Sequence, residues 1–422
     1  MKSIIALVDC NNFFVSCERL FRPDLERKPV VVLSSNDGCV VSRSNEAKAL
    51  GIPMGAPAFQ YKQLFKERGV VQFSANFDLY GDISSRITRS LTAVVPLTEV
   101  YSVDESFLDL SHLKLTDYEA WAKNLKLKLL KLTGIPVAIG MSSSKTLAKI
   151  ATERTKKDTP DNTVLDLLTP NQDQIDKYLG STLIQDVWGV GRKLAPKLRA
   201  ERVHTALDLK ELDPRYAQQL MGIHGRQMVA ELNGQNCYPI KVTHEQRQSI
   251  MHGRMFGEDT NNYLVVEAAI ASLTARAAKQ LRKEALVASS ATVVLRTNRH
   301  KPNYKQLART IDFDTPTADT GLITSELSQL LQKICSNNIW IHKADVMLHG
   351  LIPEDRLQLN LIDSRTDNKS KTLYKAFDRI NERYGNNFIR LASEDLSANW
   401  QPKKRLISPK YTTSWNDLPL IR

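Results

Sequence analysis

Two apolar stretches that lie far apart in the chain each run into a carboxylate. The first has the letters IIALVD at 4–9, and the second has the letters VYSVDE at 100–105. Each has the composition of a buried strand. Three carboxylates beside apolar strands, Asp9, Asp104 and Glu105, are costly to bury unless cations neutralise them. The pattern therefore predicts an α+β fold in which the strands bring these groups to a divalent-metal site, and such a site indicates chemistry on phosphates.

A pair of metal ions fits this carboxylate set. Two divalent cations about 3.5 to 4 Å apart activate a hydroxyl nucleophile and stabilise a leaving oxygen in a phosphoryl displacement. Asp9 and Asp104 are the candidates to bridge the ions, and Glu105 would complete the shell of one. Neighbours on a regular strand point to opposite faces, so the hairpin around Asp104 has to be distorted. The alternative interpretation is that Asp104 and Glu105 form a solvated turn.

Length, charge and cysteine content limit the class of protein. The 422 residues are enough for two to four domains. Lys and Arg total 58 against 46 Asp and Glu, a formal charge of +12, which favours an acidic partner such as nucleic acid or an anionic membrane surface. No stretch approaches the length of an apolar membrane span, which predicts a cytoplasmic protein. The five cysteines form no CxxC pair, which excludes a zinc site and a disulfide framework.

Helix and strand patterns predict two α+β domains separated by a glycine-punctuated helical module. In the first domain the predicted elements are strands at 4–9, 29–33 and 136–140, a hairpin at 99–110, and helices at 12–20, 44–50, 79–91 and 118–132. In the second they are helices at 265–281 and 322–334 and strands at 291–296 and 343–348. Beyond Leu351 the chain becomes polar, which predicts a tail or a small appended segment.

Three motifs in this chain resemble those of the Y-family translesion DNA polymerases. They are DCNNFF at 9–14, YSVDES at 101–106 and GMSSSKTLAK at 140–149. Further matches make the chain most similar to the UmuC type, the catalytic subunit of bacterial DNA polymerase V. They are SSNDGC at 34–39, NEAKALG at 45–51 and DVWGVGR at 186–192. The resemblance spans nearly the whole chain.

The resemblance implies a right-hand polymerase with a ferredoxin-like palm, small fingers, a helical thumb with a helix-hairpin-helix, and an α+β little finger. It places the palm at 1–25 and 73–175, the fingers at 26–72, the thumb at 176–237, the little finger at 243–350, and a C-terminal tail at 351–422. The tail would carry a clamp-binding peptide and the region specific to the UmuC type.

The resemblance also implies an activity, which is error-prone, template-directed translesion synthesis in the SOS response to DNA damage. Two Mg²⁺ ions would be held by Asp9, Asp104, Glu105 and the backbone carbonyl of Cys10, and the primer 3′-hydroxyl would attack the dNTP. The implied partners are primer–template DNA, a processed UmuD-like dimer, RecA and the sliding clamp.

An incoming triphosphate needs cations besides the metals, and Lys48 and Lys156 are the candidates. The resemblance places Ser42 and Lys48 in the fingers and Lys156 at the end of the helix after strand 136–140. It also implies that Phe14 is a steric gate that rejects a 2′-hydroxyl. The alternative is that Phe13 and Phe14 are both core residues of the first helix.

Three further segments are candidates to bind DNA or a partner. Gly189 and Gly191, followed by Arg192 and Lys193, resemble the hairpin of a helix-hairpin-helix; the alternative is that the glycines end a helix.

A cluster of Arg and Lys residues with few acidic residues among them predicts a surface that follows the phosphate backbone of DNA. Its members are Arg276, Lys279, Arg282, Lys283, Arg296, Arg299, Lys301, Lys305 and Arg309. Gln358, Leu359, Leu361 and Ile362 are similar to a sliding-clamp peptide; the alternative is a plain exposed loop.

Two other functions compete with a polymerase. A non-catalytic DNA-binding scaffold at stalled replication forks would bind DNA with strong salt dependence and incorporate no nucleotide. A nucleotidyl cyclase with a similar palm would need no primer. The intact carboxylates disfavour the scaffold, and the basic region and the glycine hairpin disfavour the cyclase.

Overall fold

The computed structural model describes residues 3–158, 164–242, 246–335, 339–357, 368–385, 388–394 and 404–418. These residues form two compact units. The first has the bounds Met1–Ser34, Gly38–His244 and Leu406–Arg422, and the second has the bounds Ser35–Asp37 and Glu245–Arg405. Among the described residues, no helix is both long enough and apolar enough to span a bilayer.

The first unit contains two sheets. Its strands are β1 (Ile5–Cys10), β2 (Val30–Leu33), β3 (Val40–Arg43), β4 (Val71–Ser74), β5 (Thr98–Val100), β6 (Glu105–Asp109), β7 (Val137–Ser142) and β8 (Val164–Asp166). Five of them form a sheet with the order β5-β6-β1-β7-β8, and the other three form a sheet with the order β3-β2-β4. The five-stranded sheet holds the carboxylates, so its packing decides the geometry of the candidate site.

The described part of the first unit also contains eleven α-helices, of which the last five form a helical module with its own apolar core. They are α1 (Phe13–Phe21), α2 (Asn45–Ala49), α3 (Ala58–Glu67), α4 (Phe77–Thr92), α5 (Tyr118–Thr133), α6 (Lys145–Asp158), α7 (Gln172–Gly180), α8 (Leu194–Ala200), α9 (Ala206–Glu211), α10 (Pro214–Met221) and α11 (Ile223–Leu232). The predicted helices at 12–20, 44–50, 79–91 and 118–132 correspond to α1, α2, α4 and α5. Helix α3 was not predicted, because it directly follows Pro and Gly residues that predict a loop.

Strand β1 is the central strand of the five-stranded sheet, and all six of its residues are buried. It pairs antiparallel with β6 on one side and β7 on the other. Helix α6 lies across β7 and β1 at a distance that only glycine allows. A Cβ atom on Gly140 would lie 2.4 Å from the backbone nitrogen of Thr152 and 2.5 Å from the carbonyl oxygen of Ala148. The missing side chain therefore fixes how closely α6 approaches the sheet.

A buried glutamate fixes the start of α6 to the end of α11. The Glu231 side chain is fully buried and accepts the backbone N–H groups of Thr146 at 2.9 Å and Cys237 at 2.6 Å. The Ser144 hydroxyl donates to the Glu231 carbonyl at 2.7 Å. A carboxylate at the first turn of a helix satisfies orphan N–H groups and complements the helix dipole. The helical module is therefore joined to the sheet through α6.

The second unit is a four-stranded antiparallel sheet packed against helices. Its strands are β9 (Ser249–Thr260), β10 (Leu286–Arg296), β11 (Gln306–Thr317) and β12 (Ile341–Pro353), and its helices are α12 (Tyr263–Lys283), α13 (Thr320–Ile334) and α14 (Asn368–Tyr384). The sheet order is β11-β10-β12-β9. Apolar residues of α12 and α13 pack with those of the sheet in one core. The predicted second α+β domain is present, and its strands are longer than predicted.

The chain beyond Leu351 contains more structure than its polar composition predicts. Strand β12 continues to Pro353, and α14 forms 17 residues of helix in the second unit. The last part of the chain that the structure describes, from Leu406 to Leu418, belongs instead to the first unit. The predicted tail therefore contributes to both units.

We predict that Gly140→Ala lowers the thermal midpoint of unfolding, because the added methyl group overlaps the α6 backbone and costs about 1 to 3 kcal/mol. The matched control is Gly81→Ala. Gly81 lies on an exposed face of α4 with open space at its Cβ position, so alanine there stabilises the helix by up to about 1 kcal/mol. Midpoints that move in the same direction for both variants would contradict the close packing of α6.

Candidate active site

Strand pairing brings the three acidic residues together. Asp9 on β1 lies directly opposite Glu105 on β6, so their side chains share one face of the sheet. The backbone N–H of Cys10 donates to the carbonyl oxygen of Asp104 at 2.8 Å, which places Asp104 at the same end of β1. The Ser102 hydroxyl donates to the Asp104 carboxylate at 2.6 Å and accepts the Glu105 N–H at 3.0 Å. This serine holds the irregular turn that lets consecutive acids face one site.

Three lysines on α6 neutralise acids from three neighbouring strands. Residues 145, 149 and 156 are spaced by four and seven positions, which puts them on one face of a helix. The pairs join Lys145 to Glu99 on β5 at 2.6 Å, Lys149 to Glu105 on β6 at 2.9 Å, and Lys156 to Asp9 on β1 at 2.6 Å. Each of the strands β5, β6 and β1 therefore has one acid that is paired with a lysine of α6.

Asp9 is the most buried of the three candidate metal ligands, with 5% of its surface exposed. Burial raises its pKa to about 7 against the lowering effect of Lys156, and the charges of Glu105 and Asp104 raise it further. Burial also raises the pKa of the Cys10 thiol well above its usual range, and the neighbouring Asp9 and Asp104 add to that rise. The three acids therefore lie close enough to act on one another, and Asp9 is the one that is largely shielded from water.

The donor set fits a hard divalent cation. It consists of carboxylate oxygens and the Cys10 carbonyl, which are the ligands that Mg²⁺ takes. Among the described residues, no three His, Cys, Asp or Glu side chains already form a metal-binding group. The carboxylates of Asp9 and Glu105 are instead turned toward Lys156 and Lys149. A cation entering the site would replace these lysines as the source of positive charge.

Two of the predicted triphosphate contacts, Lys48 and Lys156, lie near each other, and Ser42 lies on the strand next to Arg43. Ser42 is a buried residue of β3, and Lys48 is on α2. Burial lowers the pKa of Lys48, and the positive charges of Arg43 and Lys156 lower it further, so these three cations lie near one another. Arg43 also donates to the carbonyl oxygen of Ile52 at 2.6 Å. The sequence prediction did not include Arg43, whose only signal was its position beside Ser42.

The two adjacent phenylalanines of α1 have different environments. Phe13 is buried in the core, whereas Phe14 is half-buried. The Phe14 ring stacks on Tyr80 with centroids 4.5 Å apart and planes at 13°, and it meets the exposed Phe77 edge-on at 6.0 Å. Phe14 is therefore a partly exposed ring supported from behind, which is the environment that a steric gate requires.

The glycine hairpin is connected to the candidate metal site through contacts of Trp188 and Tyr101. Gly189 has a φ of 92°, a backbone conformation that favours glycine, and the Arg192 and Lys193 side chains are exposed. The Trp188 indole N–H donates to the Tyr101 hydroxyl at 3.0 Å. Lys149 lies 4.6 Å from the centroid of that tyrosine ring. The hairpin is thus joined through Tyr101 to the lysine that holds Glu105.

In the second unit, Arg282 is bound within the protein rather than presented to a ligand. Its guanidinium donates to Asp378 of α14 at 2.8 Å and 3.0 Å, and to the Ala318 carbonyl at 2.9 Å. It also lies 4.7 Å from the centroid of the Tyr374 ring. Arg282 therefore attaches α14 to α12, and it is not part of the DNA-binding face proposed below.

Arg296 also has an internal acidic partner. Its guanidinium contacts Asp345, an almost fully buried residue of β12, and Lys343 lies 3.0 Å from the other oxygen of the same carboxylate. Two cations around one acid leave a net positive charge at this part of the sheet. Lys343 was missed by the sequence prediction.

Arg299 is exposed in the turn between β10 and β11. The candidate clamp residues Gln358, Leu359, Leu361 and Ile362 lie outside the described residues.

The family of the chain follows from comparison with known proteins. The sequence model of the impB/mucB/samB family matches residues 8–153, and the model of its C-terminal domain matches residues 247–361. The UmuC protein of Salmonella typhimurium is 37% identical over 99% of this chain and 100% of its own length. The chain belongs to the impB/mucB/samB family. The resemblance to the UmuC type of Y-family polymerase is thereby confirmed.

Other relatives and one solved structure agree with this family membership. SamB of Salmonella typhimurium is 36% identical over 99% of this chain and 100% of its own length. DNA polymerase IV 1 of Bacillus subtilis is 25% identical over 92% of both chains. The Y-family DNA polymerase chimera Dbh-Dpo4(243-245)-Dbh superposes with a TM-score of 0.66 at 21% identity, over 83% of this chain and 99% of the chimera. This match confirms the Y-family fold. A domain of unknown function (DUF4113) matches residues 371–421.

We predict that Mg²⁺ raises the thermal midpoint of this impB/mucB/samB family member, because only the folded state brings the three acids together. At ten times the dissociation constant the gain is about 1.4 kcal/mol. Asp104→Asn should lose most of the shift, whereas the control Glu119→Gln, at an exposed acid on α5, should keep it. Equal shifts in the two variants would mean that Mg²⁺ binds elsewhere.

Proposed function

We propose that Asp9, Asp104, Glu105 and the Cys10 carbonyl hold two Mg²⁺ ions and that nucleotidyl transfer takes place at this site. The protein is a Y-family DNA polymerase that performs translesion synthesis in SOS mutagenesis. Divalent-metal dependence is general in this family. The observation that carries the proposal is the β1–β6 register, which sets Asp9 opposite Glu105 with Asp104 bonded to the next residue of β1.

When bound, the two metals favour deprotonation of the primer 3′-hydroxyl and stabilise the charge of the leaving pyrophosphate. The residues of the protein hold and orient the carboxylates. Ser102 fixes the turn that carries Asp104 and Glu105. Lys156 neutralises Asp9 at 2.6 Å. We expect the Lys156 ammonium to move to the triphosphate when metal ions replace it at Asp9, because the released lysine is then free to pair with the phosphate charge.

The triphosphate and sugar would be held by residues on both sides of the site. Ser42 and Lys48 approach from β3 and α2, and Lys156 approaches from α6. Arg43 adds a further positive charge. Phe14 would lie beneath the sugar, where a ring stacked on Tyr80 leaves no room for a 2′-hydroxyl. Deoxynucleotides would therefore be selected by shape.

Each unit supplies a surface for DNA. In the first, the backbone around Gly189 and Gly191 and the exposed side chains of Arg192 and Lys193 would contact phosphates without reading bases. In the second, the positive group of Arg296 and Lys343 around Asp345, together with the exposed Arg299, would follow the backbone of primer–template DNA. Such contacts carry strong salt dependence.

The C-terminal region would recruit the partners that the UmuC type implies. We propose that it binds a processed UmuD-like dimer in the presence of RecA, and that residues 358–362 dock on the sliding clamp with Leu361 and Ile362 in an apolar pocket. The absence of an aromatic residue at 362 reduces the apolar area that this peptide can bury.

We predict that Asp104→Ala reduces primer extension to background while binding of primer–template DNA persists, because the substitution removes a metal ligand and leaves both DNA surfaces intact. Glu119→Ala removes the same charge from an exposed position on α5 and should extend primers like the parent. Extension and salt-dependent binding would be measured on one labelled primed template. Retained extension by Asp104→Ala would refute the metal site, and extension by neither parent nor variant would support a scaffold.

We predict that Phe14→Ala increases ribonucleotide incorporation by about 10- to 200-fold relative to deoxynucleotides, which is the range that a steric pocket contact supplies. The control is Phe59→Ala, which removes a ring that is 77% exposed on α3. Single-nucleotide kcat/KM values for a dNTP and the matching rNTP give the ratio. An unchanged ratio in Phe14→Ala would exclude the steric gate.

A further inference from the structure

The last described segment of the chain packs against the edge of β4. The backbone N–H of Ser74 donates to the Leu406 carbonyl at 2.9 Å, and the Leu406 N–H donates to the Ser74 hydroxyl at 2.9 Å. Ile407 forms an isolated parallel bridge with Ser74. Farther along, the Tyr411 ring stacks on Phe21 of α1 with centroids 4.5 Å apart. The segment is therefore an integral part of the first unit, although it lies about 330 residues from β4 in sequence.

At Ser408 this segment enters a buried polar cluster. The Ser408 hydroxyl donates to Glu18 Oε1 at 3.1 Å, and the Tyr80 hydroxyl donates to the same oxygen at 2.6 Å. The Asn76 amide donates to Ser408 Oγ at 3.0 Å and thereby orients its hydroxyl. Glu18 is fully buried, and its burial raises its pKa. None of these groups takes part in the metal or phosphate contacts described above, so the cluster needs another explanation.

The cluster stands directly behind Phe14. Tyr80 presents its hydroxyl to Glu18 and its ring face to Phe14, with 4.5 Å between the ring centroids. Glu18 Oε2 has no hydrogen-bond partner among the described residues, so the orientation of the carboxylate depends on the two donors to Oε1. One of those donors is Ser408. A chain of direct contacts thus runs from the C-terminal segment through Glu18 and Tyr80 to Phe14.

We infer that Ser408, Glu18 and Tyr80 are positioning residues that fix the plane of the Phe14 ring, and that the C-terminal segment thereby sets the selection of deoxyribonucleotides over ribonucleotides. This inference rests on the proposed role of Phe14 as the steric gate. A gate rejects a 2′-hydroxyl only as firmly as its own ring resists displacement. A ring backed by an anchored aromatic face resists displacement more than one backed by a ring that can slide.

The test uses the full-length protein under conditions in which the parent extends a primer. Ser408→Ala and Tyr80→Phe each remove one hydroxyl donor to Glu18 and leave the Phe14–Tyr80 ring pair in place. Each is expected to lower the ratio of kcat/KM for a dNTP over its matching rNTP roughly fivefold, the effect of one net hydrogen bond. Ser408→Thr keeps a hydroxyl and should keep the parent ratio.

Trp415→Ala is the matched control, because it changes the same segment at a side chain that is 89% exposed. A cluster that only holds the segment in place would lower the kcat/KM of dNTP and rNTP together and leave their ratio unchanged. Parent ratios in both Ser408→Ala and Tyr80→Phe, with a collapsed ratio in Phe14→Ala, would overturn the positioning role and leave the gate standing. An unchanged ratio in Phe14→Ala would reject the gate and this inference with it.

Discussion

The electrostatic balance between α6 and the five-stranded sheet is the constraint on which the candidate site depends. Pairing of β1, β5 and β6 gathers acids at one end of the sheet, and burial makes their mutual repulsion expensive. Three lysines on one face of α6 pair with Glu99 on β5, Glu105 on β6 and Asp9 on β1. Gly140 lets the helix lie close enough for short ion pairs. The acids of the sheet are therefore already paired with cations in the folded protein, and the proposed metal ions would take the place of those lysines.

Much of the first unit could be predicted from sequence, because its signals are local. The apolar run before Asp9 predicts a strand, which β1 confirms, and the hairpin predicted at 99–110 corresponds to β5 and β6, with Glu105 as the first residue of β6. The approach of β1 to β6 could not be derived from either stretch alone; the family motifs implied it. The lysines at 145 and 149 were overlooked, although their spacing with Lys156 was visible, because a helical lysine is usually solvated.

The second unit and the C-terminal region show where sequence reasoning reaches its limit. A run of Arg and Lys residues predicts a phosphate-binding face, but it cannot reveal which of these side chains forms an ion pair with an acid from a distant element. Arg282 meets Asp378 and Arg296 meets Asp345, at separations of 96 and 49 residues. The C-terminal segment Leu406–Leu418 is equally non-local. Its few apolar residues indicate no core of their own, because they complete a surface that the first unit already supplies.

The environment of Cys10 has a chemical consequence for an enzyme of the damage response. Only the thiolate form of cysteine attacks electrophiles quickly. The Cys10 thiol is 4% exposed, and burial together with the neighbouring acids keeps it protonated. An electrophile that reaches the candidate site therefore meets a thiol of low reactivity beside Asp9. The acidic residues that would attract cations to the proposed metal site therefore also lower the reactivity of the Cys10 thiol that lies among them.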